Sequence, residues 1–366
     1  MGLSEKANQP LGTALVEIDS ANKGNPEKNN GQKARMMSGM RATGELHIGH
    51  YFGALKNWIE LQDKYQCYFG VMDWHGMTTA YKTPSDVSQW SKLLYAEFMA
   101  WGIDSNKSTL FIQSHVPEHI ELFLMFANIT PMGWLERVPS WKDSIEEAQQ
   151  SDTHNLGRFS YPVLQAADIA IYKGMLVPVG ADQVAHLELS REIIRRFNKL
   201  YKIKLPEPKP LLTETPLVPG LDGRKMSKSY GNFLGLSEPS EQLRKKIMTM
   251  PTDPQRVRRE DVGDPQKCPV FVYHKLFSTQ DDIKWVTEGC QSAKIGCSDC
   301  KTCLFDQIES FVSPARLKKA HYLSEPNLLD RLISEGNEKA RVEAQKTLSE
   351  CRLQMGFTHS REVTKA

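Results

Sequence analysis

With 366 residues, 46 of them basic and 44 acidic, the chain carries a formal charge of only +2, so a polyanionic partner must be met by local patches rather than by an overall field. No apolar run approaches the roughly 18 residues of a membrane-spanning helix, and the start, Met1-Gly2-Leu3-Ser4-Glu5-Lys6, carries neither a signal-peptide core nor a myristoylation hydroxyl at its sixth position. A cytoplasmic protein with no membrane partner is expected, with one large domain and a smaller one.

Residues 1–33 are polar and rich in Asn, Lys, Glu and Gly, with Leu15-Val16-Glu17-Ile18 their one apolar run, and read as a disordered tail. From residue 34 short apolar runs alternate with helical periods. Tyr68 to Met72 and Thr109 to Ile112 read as buried strands, and Ser88 to Trp101 as the helix between them. This alternation predicts the α/β class, a Rossmann-like, doubly wound parallel sheet over residues 34–236, with ligands at the C-terminal ends of the strands. Asp73 and His75 lie just past such an end.

Two polar stretches stand out against this frame. Thr43-Gly44-Glu45-Leu46-His47-Ile48-Gly49-His50 follows an apolar run and leads into a helical period, Tyr51 to Leu61. Strand, glycine-containing turn and helix N-terminus together favour a bound phosphate, and the histidines add donors there. Gly223-Arg224-Lys225-Met226-Ser227-Lys228-Ser229 is a cationic loop suited to clamping a triphosphate.

Between them, Tyr161, Gln165 and Asp168 are spaced to share one face of a segment that is expected to be helical after Pro162. Apolar neighbours Val163, Leu164, Ile169 and Ile171 predict burial, so Asp168 needs a donor, for which a ligand N–H or O–H is a candidate. Val177 to Gln183 reads as a strand ending in a turn, with His186, Glu188 and Arg191 opening a helix. Asp182 is placed to accept from ribose hydroxyls, and Gln183 to reach a substrate amine.

After a Pro- and Lys-rich connection, residues 237–330 turn helical, with a basic run Arg256-Val257-Arg258-Arg259 that suits either RNA phosphates or a solvated face. Five of the seven cysteines fall here: Cys268, Cys290, Cys297, Cys300 and Cys303. In a chain with no export signal this density points to metal rather than disulfides. The Cys297, Cys300, Cys303 run with remote Cys268-Pro269 is similar to ferredoxin-type ligand runs, and tetrahedral zinc suits four thiolates equally.

The two polar stretches, in this order, resemble the paired signatures of class I aminoacyl-tRNA synthetases. The resemblance sharpens to the tryptophanyl-tRNA synthetases on Gly39 to Leu55, on Tyr-Pro-x-Leu-x-Ala-Ala-Asp from Tyr161 and on Pro-Val-Gly-x-Asp-Gln-x-x-His-x-Glu from Pro178. It runs from about Arg35 to a C-terminal helix, 331–366, around Glu335 to Arg341.

It implies two-step activation of L-tryptophan with Mg2+ and ATP, and transfer to tRNA(Trp) by a homodimer with a helical anticodon-binding domain. His47, His50, Lys225 and Lys228 would serve the phosphates, within an ATP site that adds Gly39, Arg41, Thr43, Gly49, Gly180, Asp182, Met226, Ser227 and Ser229. Tryptophan would meet Met37, Gly39, His75, Tyr161, Gln165, Asp168 and Gln183, with Asp168 accepting the indole N–H. Gln165 and Asp168 also resemble the pocket of the tyrosyl enzymes, whereas the Pro-Val-Gly-x-Asp-Gln run favours tryptophan.

A subset of the family carries Cys-x22-Cys-x6-Cys-x2-Cys around a [4Fe-4S] cluster. Here the intervals x21, x6 and x2 pick Cys268, Cys290, Cys297 and Cys300, with Cys303 the competing fourth ligand and Zn2+ the competing metal. A nucleotidyltransferase would explain the histidine pair but not the lysine loop. A non-catalytic RNA-binding relative would be expected to have lost one signature.

Overall fold

The computed structural model describes residues 15–16, 28–29, 32–139, 141, 154–180, 183–213, 218–224, 226, 228 and 230–357. Strands β1 (Leu15–Val16), β4 (Arg35–Arg41), β5 (Gln66–Met72), β6 (Ser108–Ile112), β7 (Leu176–Val179) and β8 (Lys209–Thr213) form one sheet, and β2 (Lys28–Asn29) pairs with β3 (Gln32–Lys33) apart from it. The order is β1-β8-β7-β4-β5-β6, with β4 to β8 parallel and β1 antiparallel at one edge. The Leu15–Val16 pair of the expected tail is therefore sheet, opposite Leu212 and Thr213. Six of the seven β5 residues are buried, because both faces of a parallel sheet are covered. The strand order reverses between β4 and β7, which places a crevice there.

The helices are α1 (Ile48–His50), α2 (Lys56–Leu61), α3 (Asp73–Ala80), α4 (Pro84–Trp101), α5 (Glu118–Ala127), α6 (Met132–Leu135), α7 (Leu156–Ile171), α8 (Val184–Tyr201), α9 (Ser240–Met248), α10 (Pro269–Phe277), α11 (Gln280–Gln291), α12 (Cys297–Ser324) and α13 (Pro326–Gln354). The expected helix over Tyr51 to Leu61 is present, but its first turn, Tyr51–Leu55, is π-helical and joins α1 to α2. Helix α4 begins at Pro84, earlier than expected, because proline fits the first helical position, and it ends at Gly102 with φ 116°. Helix α7 likewise starts before Pro162, capped by the Asn155 side chain accepting from the Arg158 N–H at 2.9 Å.

Two apolar clusters cover the two sheet faces. One holds Met36, Ile48, Trp58, Phe69 and Phe98 and runs on without a break into Leu304, Ile308 and Val312 of α12. The other holds Met37, Tyr68, Phe111, Phe126, Val163 and Phe197. Helix α13 gives Leu329 and Ile333 to the first and Ala340, Ala344 and Leu348 to the second, so it straddles the β6 edge of the sheet. The boundary expected between residues 330 and 331 falls inside this helix. The edge is closed by contact with its backbone: Ile112 N–H donates to Asn337 Oδ1 at 2.8 Å, and a Cβ on Gly336 would sit 2.0 Å from the Leu110 carbonyl oxygen.

Helix α4 is held to α12 by a buried ion pair between Glu97 and Lys319, and Glu97 also accepts from the Ser237 hydroxyl at 2.5 Å and the Trp101 indole at 3.2 Å. A carboxylate so buried needs these donors to offset its lost hydration. Among the described residues no helix is long and apolar enough to cross a membrane.

Candidate active site

A cavity of about 520 Å3 opens at the C-terminal ends of β4 and β7, beside α7, at the point of strand-order reversal. It is lined by Met37, Gly39, Arg41, His75, Tyr161, Gln165, Asp168, Gly180 and Gln183, nine of the residues expected from sequence. Asp182, Lys225, Ser227 and Ser229 lie outside the described residues. Gly39 is required by packing: a Cβ there would sit 2.4 Å from Met72 Cε and 2.8 Å from the Gly70 carbonyl oxygen.

His47, His50, Thr43, Gly49, Met226 and Lys228 form a separate corner at the start of α1. His50 Nδ1 accepts from the His47 N–H at 3.1 Å, and the two rings lie 3.7 Å apart at their centroids. Gly49 leaves room for this pair: a Cβ on it would come within 3.0 Å of the His47 ring and 3.4 Å of Met226 Sδ. Segment 234–236 runs beside 46–48, with Ile48 N–H donating to Leu234 O at 3.0 Å and Leu236 N–H to Leu46 O at 2.9 Å. These bonds deliver the lysine loop to the turn, where Lys228 Nζ donates to Thr43 O at 3.1 Å.

Burial, then the Lys228 ammonium, brings His47 down to about 4; burial, then His47 and Lys228, brings His50 to about 3. Both rings are therefore neutral at pH 7. They add N–H donors to a corner already occupied by Lys228 without adding charges that would repel it. Burial, with Arg41 opposing Glu45, lowers Lys228 to about 8, so it still carries its proton at neutral pH.

Asp168 is buried and already has three protein partners: His75 Nε2 on Oδ2, and Gln113 Nε2 and His119 Nδ1 on Oδ1, each at 2.7 Å. Burial alone would raise its pKa, but the bonds from His119 and His75 outweigh it and hold the carboxyl at about 2. Three of the donors that Asp168 needs are thus supplied by the protein itself, beside the ligand donor expected from sequence. Tyr161 sits at 2.7 Å from His186 Nε2 through its hydroxyl.

Sequence reasoning missed Gln113, His119 and Tyr172, which surround Asp168 from behind, and Arg158 and Thr78 on the cavity wall. Gln113 follows the end of β6 directly, and that position was its one available signal.

The cysteines gather away from this cavity. Cys268 caps α10, Cys297 and Cys300 open α12, and Cys290 lies in the last turn of α11. Burial, then Cys268, Cys290, Cys297 and Cys303, pushes the Cys300 thiol up to about 12, so the other four sit within electrostatic reach of Cys300. Arg256 Nη1 donates to Cys290 Sγ at 3.7 Å, and His274 Nε2 lies 3.3 Å from Cys300 Sγ. Yet among the described residues no three His, Cys, Asp or Glu side chains converge on a single ion position. One zinc ion would draw four sulfurs to about 2.3 Å from one point.

The family model "tRNA synthetases class I (W and Y)" matches residues 28–313. The chain is 42% identical to the tryptophan–tRNA ligase of Ralstonia nicotianae, over 89% of this chain and 99% of that one. It is 48% identical to that of Thermotoga maritima, over 88% and 99%. A solved structure of tryptophanyl-tRNA synthetase from Campylobacter jejuni, complexed with ADP and tryptophan, superposes with a TM-score of 0.82 at 34% identity, covering 88% of this chain and 99% of that one.

Proposed function

The chain belongs to the class I tRNA synthetases for tryptophan and tyrosine, and we propose how its cavity carries out the reaction of a tryptophan–tRNA ligase. L-Tryptophan is activated with ATP to tryptophanyl-AMP, and the aminoacyl group is then transferred to tRNA(Trp). The observation that carries the site assignment is the cavity at the strand-order reversal, which Asp168, Gln165 and Tyr161 of α7 line together with Gly39 of β4 and Gly180 just past β7.

In this reading the indole stacks into the cavity with its N–H on Asp168, and the ammonium group lies between Tyr161 and Gln183. The substrate carboxylate attacks the α-phosphorus in line and pyrophosphate leaves. No side chain acts as a nucleophile, so the protein supplies position and charge. Gly39, Arg41, Gly180 and Asp182 hold the nucleoside side; His47, His50, Lys225 and Lys228 hold the phosphates, with Mg2+ sharing their charge. The neutral histidines donate N–H groups, while Lys228 meets charge that develops on the leaving pyrophosphate.

The enzyme works as a homodimer, and α9 to α12 carry the anticodon-binding surface. Cys268, Cys290, Cys297 and Cys300 hold a [4Fe-4S] cluster. What supports it is the sequence spacing x21, x6 and x2 of these four cysteines, with Zn2+ the competing metal. Holding it there, Cys297 and Cys300 would tie the start of α12 to Cys268 and Cys290. Visible thiolate-to-iron absorption with iron and sulfide analysis tests this; a colourless, zinc-loaded protein prepared without oxygen would overturn it.

ATP–pyrophosphate exchange run in parallel with tryptophan and tyrosine tests the amino-acid pocket. Exchange with tryptophan alone is expected. Exchange with tyrosine would mean that Gln165 and Asp168 read a phenol.

A further inference from the structure

Resting on the assignment of the indole N–H to Asp168, we propose that Tyr172 and His119 are positioning residues that lock Asp168 as a pure hydrogen-bond acceptor for a substrate ring N–H. A carboxylate offers about four acceptor positions. Three are taken, two of them on Oδ1 by Gln113 and His119. The partner on Oδ2 is His75, which lines the cavity as Asp168 itself does, whereas Gln113 and His119 do not. The open position is thus on the oxygen that faces the substrate.

What keeps that position an acceptor is the direction of the hydrogen bonds behind it. His119 is fully buried and is engaged at both nitrogens, by Asp168 Oδ1 at Nδ1 and by the Tyr172 hydroxyl at Nε2, each at 2.7 Å. An ionised carboxylate has no proton to give, so Nδ1 carries the hydrogen and donates it. In the uncharged ring, which has one N–H, Nε2 then accepts and the phenol is its donor. Burial, reinforced by the Asp168 charge, raises Tyr172 well above its ordinary value, so the phenol keeps the proton it donates. Tyr172 thereby sets the His119 tautomer, and His119 holds Asp168 ionised. With the other tautomer a lone pair would face Oδ1, which would have to take a proton and donate it to Nδ1, leaving a neutral carboxyl as a weaker acceptor for the indole N–H at Oδ2.

The test compares tryptophan with β-(3-benzothienyl)alanine, an isostere with sulfur in place of the ring N–H, in ATP–pyrophosphate exchange. The unaltered enzyme is expected to favour tryptophan by about 10-fold or more in KM. Tyr172→Phe should raise KM for tryptophan several-fold, leave kcat nearly unchanged and leave the isostere unaffected, so the preference shrinks. His119→Asn, whose amide N–H can replace Nδ1–H without help from Tyr172, should keep more of the preference than His119→Leu.

Equal losses for both substrates would reduce Tyr172 to packing and overturn the proposal, as would an unchanged preference. No preference in the unaltered enzyme would sink the Asp168 assignment itself, and the lock with it. Independently of any variant, 15N spectra of histidine-labelled enzyme report the tautomer directly. An Nε2-protonated His119 would overturn the lock.

Discussion

The Lys228 ammonium donates to the Thr43 carbonyl at 3.1 Å across 185 positions of sequence, and this bond joins the two signature stretches into one corner. The bond holds the cation at the Gly44 turn, where the proposed mechanism has pyrophosphate depart. Lys228→Ala is expected to lower kcat about 100-fold, the scale of losing one preorganised charge donor, while KM for tryptophan moves less than about 3-fold. Steady-state exchange at saturating ATP measures both. A change confined to KM would remove Lys228 from the transition state.

The same lysine predicts an alkaline limb. Burial lowers it to about 8, so the free enzyme loses this positive charge as pH rises through that value. kcat/KM for ATP should fall above about pH 8, whereas kcat should hold to higher pH, because bound phosphates restore the proton. Lys228→Arg should flatten the limb, since guanidinium does not titrate there.

The histidine pair predicts acid sensitivity with the opposite sign. His47 and His50 are held neutral by the fold, at about 4 and about 3, while the unfolded chain takes up protons near the ordinary histidine value. Protonation below about pH 6.5 therefore favours the unfolded state, so stability is full above that pH and is lost as it falls toward 4. Thermal unfolding between pH 7 and 4 should show a declining Tm, and a shallower decline in His50→Gln.

Cysteine loss should be felt at the lysine loop. Gly223 of the lysine loop would place a Cβ 3.8 Å from Pro269, the residue after Cys268, and the Tyr273 hydroxyl of the same helix donates to Pro219 O at 2.5 Å. Cys268→Ser should abolish iron absorption and raise KM for ATP several-fold more than KM for tryptophan. Equal effects on both would point to general unfolding instead.

The sheet was legible because β5 and β6 are short apolar runs separated by a helical period, and so was α7's polar face, since Tyr161, Gln165 and Asp168 repeat at helical spacing. The shell behind Asp168 was not. His119 and Tyr172 come from α5 and the end of α7 and meet only through tertiary packing, and their neighbours in sequence carry no periodic signal that sets them apart. The π turn at Tyr51–Leu55 was illegible for a similar reason: Tyr51 and Phe52 pack edge-on against Phe311 and Phe277 of distant helices, at 5.0 and 5.6 Å. Local propensity does not encode contacts of that range.

Gly336 also sets an order of assembly. The β6 edge is complete only when α13 lies against it with no side chain between, and until then the Ile112 N–H has no Asn337 to receive it. During synthesis the sheet must therefore wait, its outer strand open, for a helix translated more than two hundred residues later. That interval is when edge-to-edge pairing with other chains competes with folding. A larger residue at position 336 would prolong it, and would be felt as lower yield from the ribosome before any loss of catalysis was seen.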